Sequence, residues 1–189
     1  MDVAIKIQGP AIKIFLRDLK YSCAKLQANA GRLLLFISLT LKKQIMPTAG
    51  EVVDHMMKND LFSQWLGISI LEIKDGYSKI KMNVRPEMIN GFGIVHGGVA
   101  FSMADSCFAF ACNNRNTLSV ALDTSINFIK PVHVGDKLTA EAKEIHNGKS
   151  TGLYHITITN QHDHVVAIFK GTCFRTNKLL IKTQEMNNK

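Results

Sequence analysis

Residues 94–112 read IVHGGVAFSMADSCFAFAC, and one side chain in that stretch, Asp105, is charged at neutral pH. A carboxylate in an apolar run costs on the order of several kcal/mol of desolvation unless it is paired or meets a wet cleft. Most buried carboxylates cap a nearby backbone or pair with a base. Here the run opens with His96-Gly97-Gly98. The first N–H groups of a helix, with the positive end of its dipole, would face a glycine-lined loop. Such an end suits an oxyanion, and Asn90 in the same loop adds an amide donor. Donors for a carbonyl oxygen, with a carboxylate to attack or to activate water, are the parts needed for acyl-transfer hydrolysis.

Spacing sets a condition on that chemistry. Gly97 and Asp105 are eight residues apart, about 12 Å along a helix axis. One carbonyl cannot lie within about 3 Å of both groups. If both serve one carbonyl, they come from different subunits. A two-fold axis pairing the helices antiparallel sets each Asp105 beside its partner's helix start and makes two equal sites.

Other residues carry weaker signals. His96 holds the loop before the helix, or serves as a base. Cys107 lies mid-helix, away from the donors, which argues against a Cys-His nucleophile. His162-Asp163-His164 reads as a solvated hairpin tip rather than a metal site. Lys130, Lys149 and Arg175 are isolated bases of the kind found on solvated surface. The four cysteines (23, 107, 112 and 173) form no C-x-x-C pair and read as free thiols in a reducing compartment. No dinucleotide or Walker fingerprint is present, and no cofactor or metal is expected.

The elements that must position these residues follow from periodicity. EVVDHMMKNDLFSQWL, residues 51–66, has helical spacing of Val52, Val53, Met56, Met57 and Leu61. Residues 67–84 alternate around Asp75-Gly76 and predict a hairpin, with Ile68, Ile70, Ile80, Met82 and Val84 on its buried face. Pro86 ends it. A loop over 90–98 with four glycines precedes an apolar helix over 99–113. Four strands follow, in SVALDTSINFIKP, GDKLTAEAKEIH, TGLYHITITN and VVAIFKGTCFRT, with turns at Gly135-Asp136, Asn147-Gly148 and QHDH. A helix apolar on nearly all sides must be covered on nearly all sides. The expected fold is α+β, six strands in one curved antiparallel sheet around a long central helix.

The chain has 189 residues and a net charge of +8. Eight Lys and Arg against two Asp and Glu fall before residue 51, so the basic balance belongs to the first quarter and implies no nucleic-acid partner. The run LLLFISLTL, residues 33–41, has nine residues, short of the roughly 20 that a membrane span needs. Residues 1–45 are read as an extension outside the fold, either a mispredicted start or a basic targeting segment. The fold is expected over 46–177, followed by a polar tail over 178–189 that frays.

Asn90-Gly91, His96-Gly97-Gly98, Phe101, Ala104-Asp105, Phe108-Ala109, Ala111-Cys112-Asn113 and INFIKPVHVGD at 126–136 together resemble the hot-dog-fold thioesterases of the phenylacetic-acid-degradation, PaaI-type, family. The similarity covers roughly residues 51–175. It implies cytoplasmic hydrolysis of an aryl- or medium-chain acyl-CoA at a homodimer interface, in a dimer or a dimer-of-dimers tetramer. It also implies Asp105 as nucleophile or general base, with Asn90 and the Gly97 and Gly98 amides at the thioester. His96 and Phe101 would contact substrate, and Thr124 and Ser125 would line the partner side. Against hydrolysis stands a non-catalytic acyl-CoA sensor on the same fold, which has no need of a buried acid. An enoyl-CoA hydratase would want a His-Asp pair on the helix itself.

Overall fold

The computed structural model describes residues 31–32 and 46–182. The chain divides into two units, Met1–Ile45 and Met46–Lys189. The expectations for the LLLFISLTL run, for the rest of 1–45 and for the tail beyond residue 182 lie outside the described residues. Among those described, no helix is long and apolar enough to cross a membrane.

The second unit begins with a capping box. The Thr48 hydroxyl accepts from Glu51 N, and the Glu51 carboxylate accepts from Thr48 N at 2.8 Å. Helix α1 spans Ala49–Asn59 and buries Val52 and Val53. The sequence predicts one helix to residue 66, but the structure breaks it at Asp60, whose backbone (φ −90°, ψ 79°) leaves the helical region. The Asp60 carboxylate takes Ser63 N at 2.9 Å and so starts a second helix, α2, Leu61–Leu66. Arg85 closes α2 by donating to the Leu66 and Trp65 carbonyls at 2.9 and 2.8 Å.

The predicted hairpin is present as β1 (Ser69–Lys74) and β2 (Tyr77–Asn83). Its inward residues Ile68, Ile80, Met82 and Val84 are buried. Helix α3 runs Gly97–Asn113, and β3 (Thr117–Phe128), β4 (Lys137–Asn147), β5 (Thr151–Thr159) and β6 (Val165–Leu179) follow. The sheet order is β1-β2-β4-β5-β6-β3, and every neighbouring pair is antiparallel. Helix α3 packs on β2 through β6. β6 extends to Leu179, and Asn116 holds Ile181 through both its amide groups at 2.8 and 3.0 Å. The start of the expected tail is therefore tied down.

Two close approaches seat α3. At Gly171 of β6 an added Cβ would lie 2.9 Å from the Phe108 ring, so the absence of a side chain lets that ring reach the strand. Phe108 also meets Tyr154 edge-on at 5.5 Å between ring centroids. At the far end of α3, Asn114 donates to the Lys74 and Tyr77 carbonyls and accepts from Gly76 N, which locks the hairpin turn to the helix. Asn113 accepts from Ser119 N at 2.7 Å and fixes the entry into β3.

The helix is not covered all round. Phe101, Ser102, Asp105 and Ala109 are half-buried and Gly98 is exposed, while the faces between them are buried. Their three- and four-residue spacing makes one open stripe along the helix.

Candidate active site

At the start of α3 the chain makes a tight loop. Asn90 N donates to the Ile94 carbonyl at 2.7 Å, and Gly93 N donates to the Asn90 carbonyl at 3.1 Å. The Asn90 side-chain oxygen accepts from Phe92 N at 2.8 Å. That leaves the Asn90 NH2 group as the donor available to the cavity this residue lines. The cavity holds about 350 Å³ and is bounded by His96, Gly97, Phe128, Lys130 and Val132, among others. Phe128 reaches in from the end of β3, and a Cβ on Gly97 would stand 2.9 Å from its ring. Glycine is therefore required there for the ring and the helix start to meet.

His96 is the N-cap of α3. Its Nδ1 accepts from Gly98 N at 2.9 Å, so the neutral ring carries its proton on Nε2. This corrects one expectation. The Gly98 amide is not open to an oxyanion, because the cap already uses it. The Gly97 N–H has no partner among the described residues, and Gly97 lines the cavity. The donors left at this end include the Gly97 amide and the Asn90 side chain.

Asp105 does not line that cavity. It lies in the middle of the open stripe, two turns along α3. No hydrogen bond or ion pair reaches its carboxylate among the described residues. Burial, and then the charge of Asp60, push its carboxyl above the ordinary aspartate value. The acid and the donors therefore occupy separate places in one chain, as the spacing requires.

The remaining expected site residues divide. Thr124 and Ser125 are neighbours on β3 and point to opposite faces. Thr124 pairs with Gly171, whose inner side meets α3, whereas Ser125 pairs with the exposed Lys170. Thr124 faces the helix and Ser125 the opposite side of the sheet. Phe101 is half-buried, edge-on to Phe169 at 5.4 Å, and lies outside the cavity lining. Lys130 lines the cavity, whereas Arg175 is buried and bonded to Asn147 at 2.6 Å and to the Gly148 carbonyl. Cys107 bonds the Ser78 and Ala140 carbonyls, and burial pushes its thiol up to about 12. His162 to His164 form a turn in which Asn160 accepts from both histidine amides. Sequence reasoning missed Phe128, although it lies in the INFIKP stretch. It also missed Asp60, Ser63 and Ser106, which carry no motif.

Residues 92–167 match the family described as Thioesterase superfamily. An Archaeoglobus fulgidus protein described as a putative esterase is 40% identical over 143 residues, covering 76% of this chain and 92% of that protein. The acyl-coenzyme A thioesterase PaaI of Escherichia coli K12 is 42% identical over 120 residues, covering 64% of this chain and 86% of that protein. The solved structure of E. coli PaaI, from the phenylacetic acid degradation operon, superposes with a TM-score of 0.68 at 40% identity. It covers 69% of this chain and 95% of that one. The chain belongs to the thioesterase superfamily, as a hot-dog-fold member of the PaaI type.

Proposed function

We propose that the protein hydrolyses acyl-CoA thioesters, with aryl or medium acyl chains, at two equal sites shared between two copies related by a two-fold axis. The observation that carries this reading is the division of parts along α3. An unpartnered acid lies on an open stripe, and the unpaired donors lie at a cavity two turns away. A second copy packed antiparallel on the stripe would bring its cavity mouth to Asp105. β3 supports that packing. It is a 12-residue edge strand on which Val120, Leu122 and Phe128 are 50, 62 and 58% exposed. A long apolar edge invites pairing with another strand.

In such a site the thioester carbonyl oxygen accepts from the Gly97 amide and the Asn90 NH2 group, which stabilise the charge that develops on it. The Asp105 carboxylate either attacks the carbonyl carbon or takes a proton from the attacking water. In the first case the C–S bond breaks and CoA leaves as thiolate. The acyl–Asp105 anhydride is then opened by water. In the second case the hydroxide adds directly, and the proton held by Asp105 goes to the departing sulfur. Both routes begin from ionised Asp105 and give free acid and CoA. Free thiols at Cys107, Cys112 and Cys173 fit a reducing compartment such as the cytoplasm.

The test is thiol release from a panel of aryl- and straight-chain acyl-CoAs, for wild type and Asp105→Ala. Release by wild type and none by the variant is expected. Full activity in Asp105→Ala removes the mechanism, and tight acyl-CoA binding with no release from any substrate assigns a sensor instead.

A further inference from the structure

The break between α1 and α2 has a chemical consequence at α3. Asp60 Oδ1 accepts from Ser63 N at 2.9 Å, and Asp60 Oδ2 lies 2.5 Å from Ser63 Oγ. Ser63 Oγ lies 2.8 Å from Ser106 Oγ. A carboxylate only accepts, so the single hydroxyl proton of Ser63 goes to Asp60. Ser106 must then donate to Ser63. Both serines are buried, at 1 and 8% exposure, and Ser106 adjoins Asp105 in the chain. The one-way chain of hydroxyls pins the middle turn of α3 to the start of α2.

We propose that Asp60 is a positioning residue for Asp105, acting through Ser63 and Ser106 to fix the turn of helix that bears the reacting carboxylate and setting a second negative charge near it. This rests on the reading of Asp105 as the reacting group. No helix-capping need accounts for the Ser106 link, because the cap of α2 is complete with the Ser63 amide alone.

Among the described residues, Asp60 is the charged group whose field acts on Asp105. On α1 the titratable side chains are Glu51, whose carboxylate is held in the capping box by Thr48, Asp54, His55 and Lys58, and α2 holds none beyond its cap. On α3, Cys107 faces the sheet. The inward face of the sheet carries Glu144, Tyr154, Cys173 and Arg175. These are engaged with one another and with the Cys112 end of the helix. A neighbouring negative charge makes a carboxylate hold its proton more tightly and makes it the stronger base once ionised. Asp60 thus trades activity in acid for a more reactive carboxylate at neutral pH.

The experiment compares pH profiles of kcat/KM, with kcat and KM separated, for wild type, Asp60→Asn, Asp60→Glu, Ser63→Ala and Asp105→Asn on one soluble acyl-CoA. Asparagine caps a helix as well as aspartate does, so Asp60→Asn removes the charge and keeps the cap of α2. Its acid limb is expected to move to lower pH and its plateau to fall, whereas Asp60→Glu, which keeps the charge, holds the limb in place. Ser63→Ala keeps both the charge and the backbone cap. It is expected to lower kcat with KM unchanged and the limb unmoved. An Asp60→Asn limb that superposes on wild type, or a Ser63→Ala kcat equal to wild type, overturns the proposal while Asp105→Asn stays inactive. An active Asp105→Asn overturns the reading beneath it instead. If Asp60→Asn does not fold, Ser63→Ala decides by itself.

Discussion

A mixed dimer tests the shared site directly. Asn90 and Gly97 belong to the cavity at the helix start, and Asp105 comes eight residues later on α3, about 12 Å away along the axis. Catalysis needs both groups within about 3 Å of the reacting atoms. Asp105→Ala is expected to abolish turnover, and Asn90→Ala to cost about 10²–10³ in rate by removing one oxyanion donor. Each homodimer is then nearly inactive. In a mixed dimer, one site receives Asp105 from the Asn90→Ala copy and the intact loop from the Asp105→Ala copy. The other site receives both defects. Co-expression with two affinity tags isolates the mixed dimer, and its thiol release should reach about half the wild-type rate, since one of two isologous sites is whole. A mixed dimer no faster than the mean of the two homodimers refutes the division of the site between copies.

Three further outcomes follow from named contacts. Leu122→Lys places a charge on the exposed edge strand β3, and should give a folded monomer without thioesterase activity by light scattering and thiol release. Glu144 is held below the ordinary glutamate value, first by hydrogen bonds from Arg115 at 2.7 and 2.8 Å, against the opposing effect of burial. A depressed carboxyl stabilises the fold above the unfolded glutamate range and loses that contribution as pH falls through the folded value. Arg115→Ala should therefore lower stability at neutral pH more than in acid, as read by urea unfolding at the two pH values. Cys107 has its thiol pushed up to about 12 by burial and does not line the cavity, so Cys107→Ala should keep wild-type kcat/KM; loss of turnover in a folded variant would reinstate a cysteine nucleophile.

Much of the candidate site was legible because its determinants are local. The Asn90 loop, His96 and Asp105 belong to one run of chain, and helix rise alone separates the acid from the helix start. The predicted hairpin and strands follow from two-residue alternation, which one buried face imposes. The break at Asp60 was not legible. EVVDHMMKNDLFSQWL keeps its apolar spacing through the break, and no glycine or proline marks it. Asp60 stops one helix and starts the next because its carboxylate finds Ser63. The use of Gly98 N–H by His96 was also hidden, since a histidine at an N-cap gives no signal as clear as Ser or Asp.

What the sequence by itself determined is the strands, the long apolar helix, the α+β class and the distance along that helix between Asp105 and the helix start. Each of these depends on neighbours within a few residues. Tertiary structure decided the sheet order that leaves β3 at an edge, the open stripe on α3, and the hydroxyl chain from Asp60 to Ser106. Those depend on contacts such as Ser63 to Ser106, 43 residues apart, and local periodicity holds no information about which distant surface will arrive.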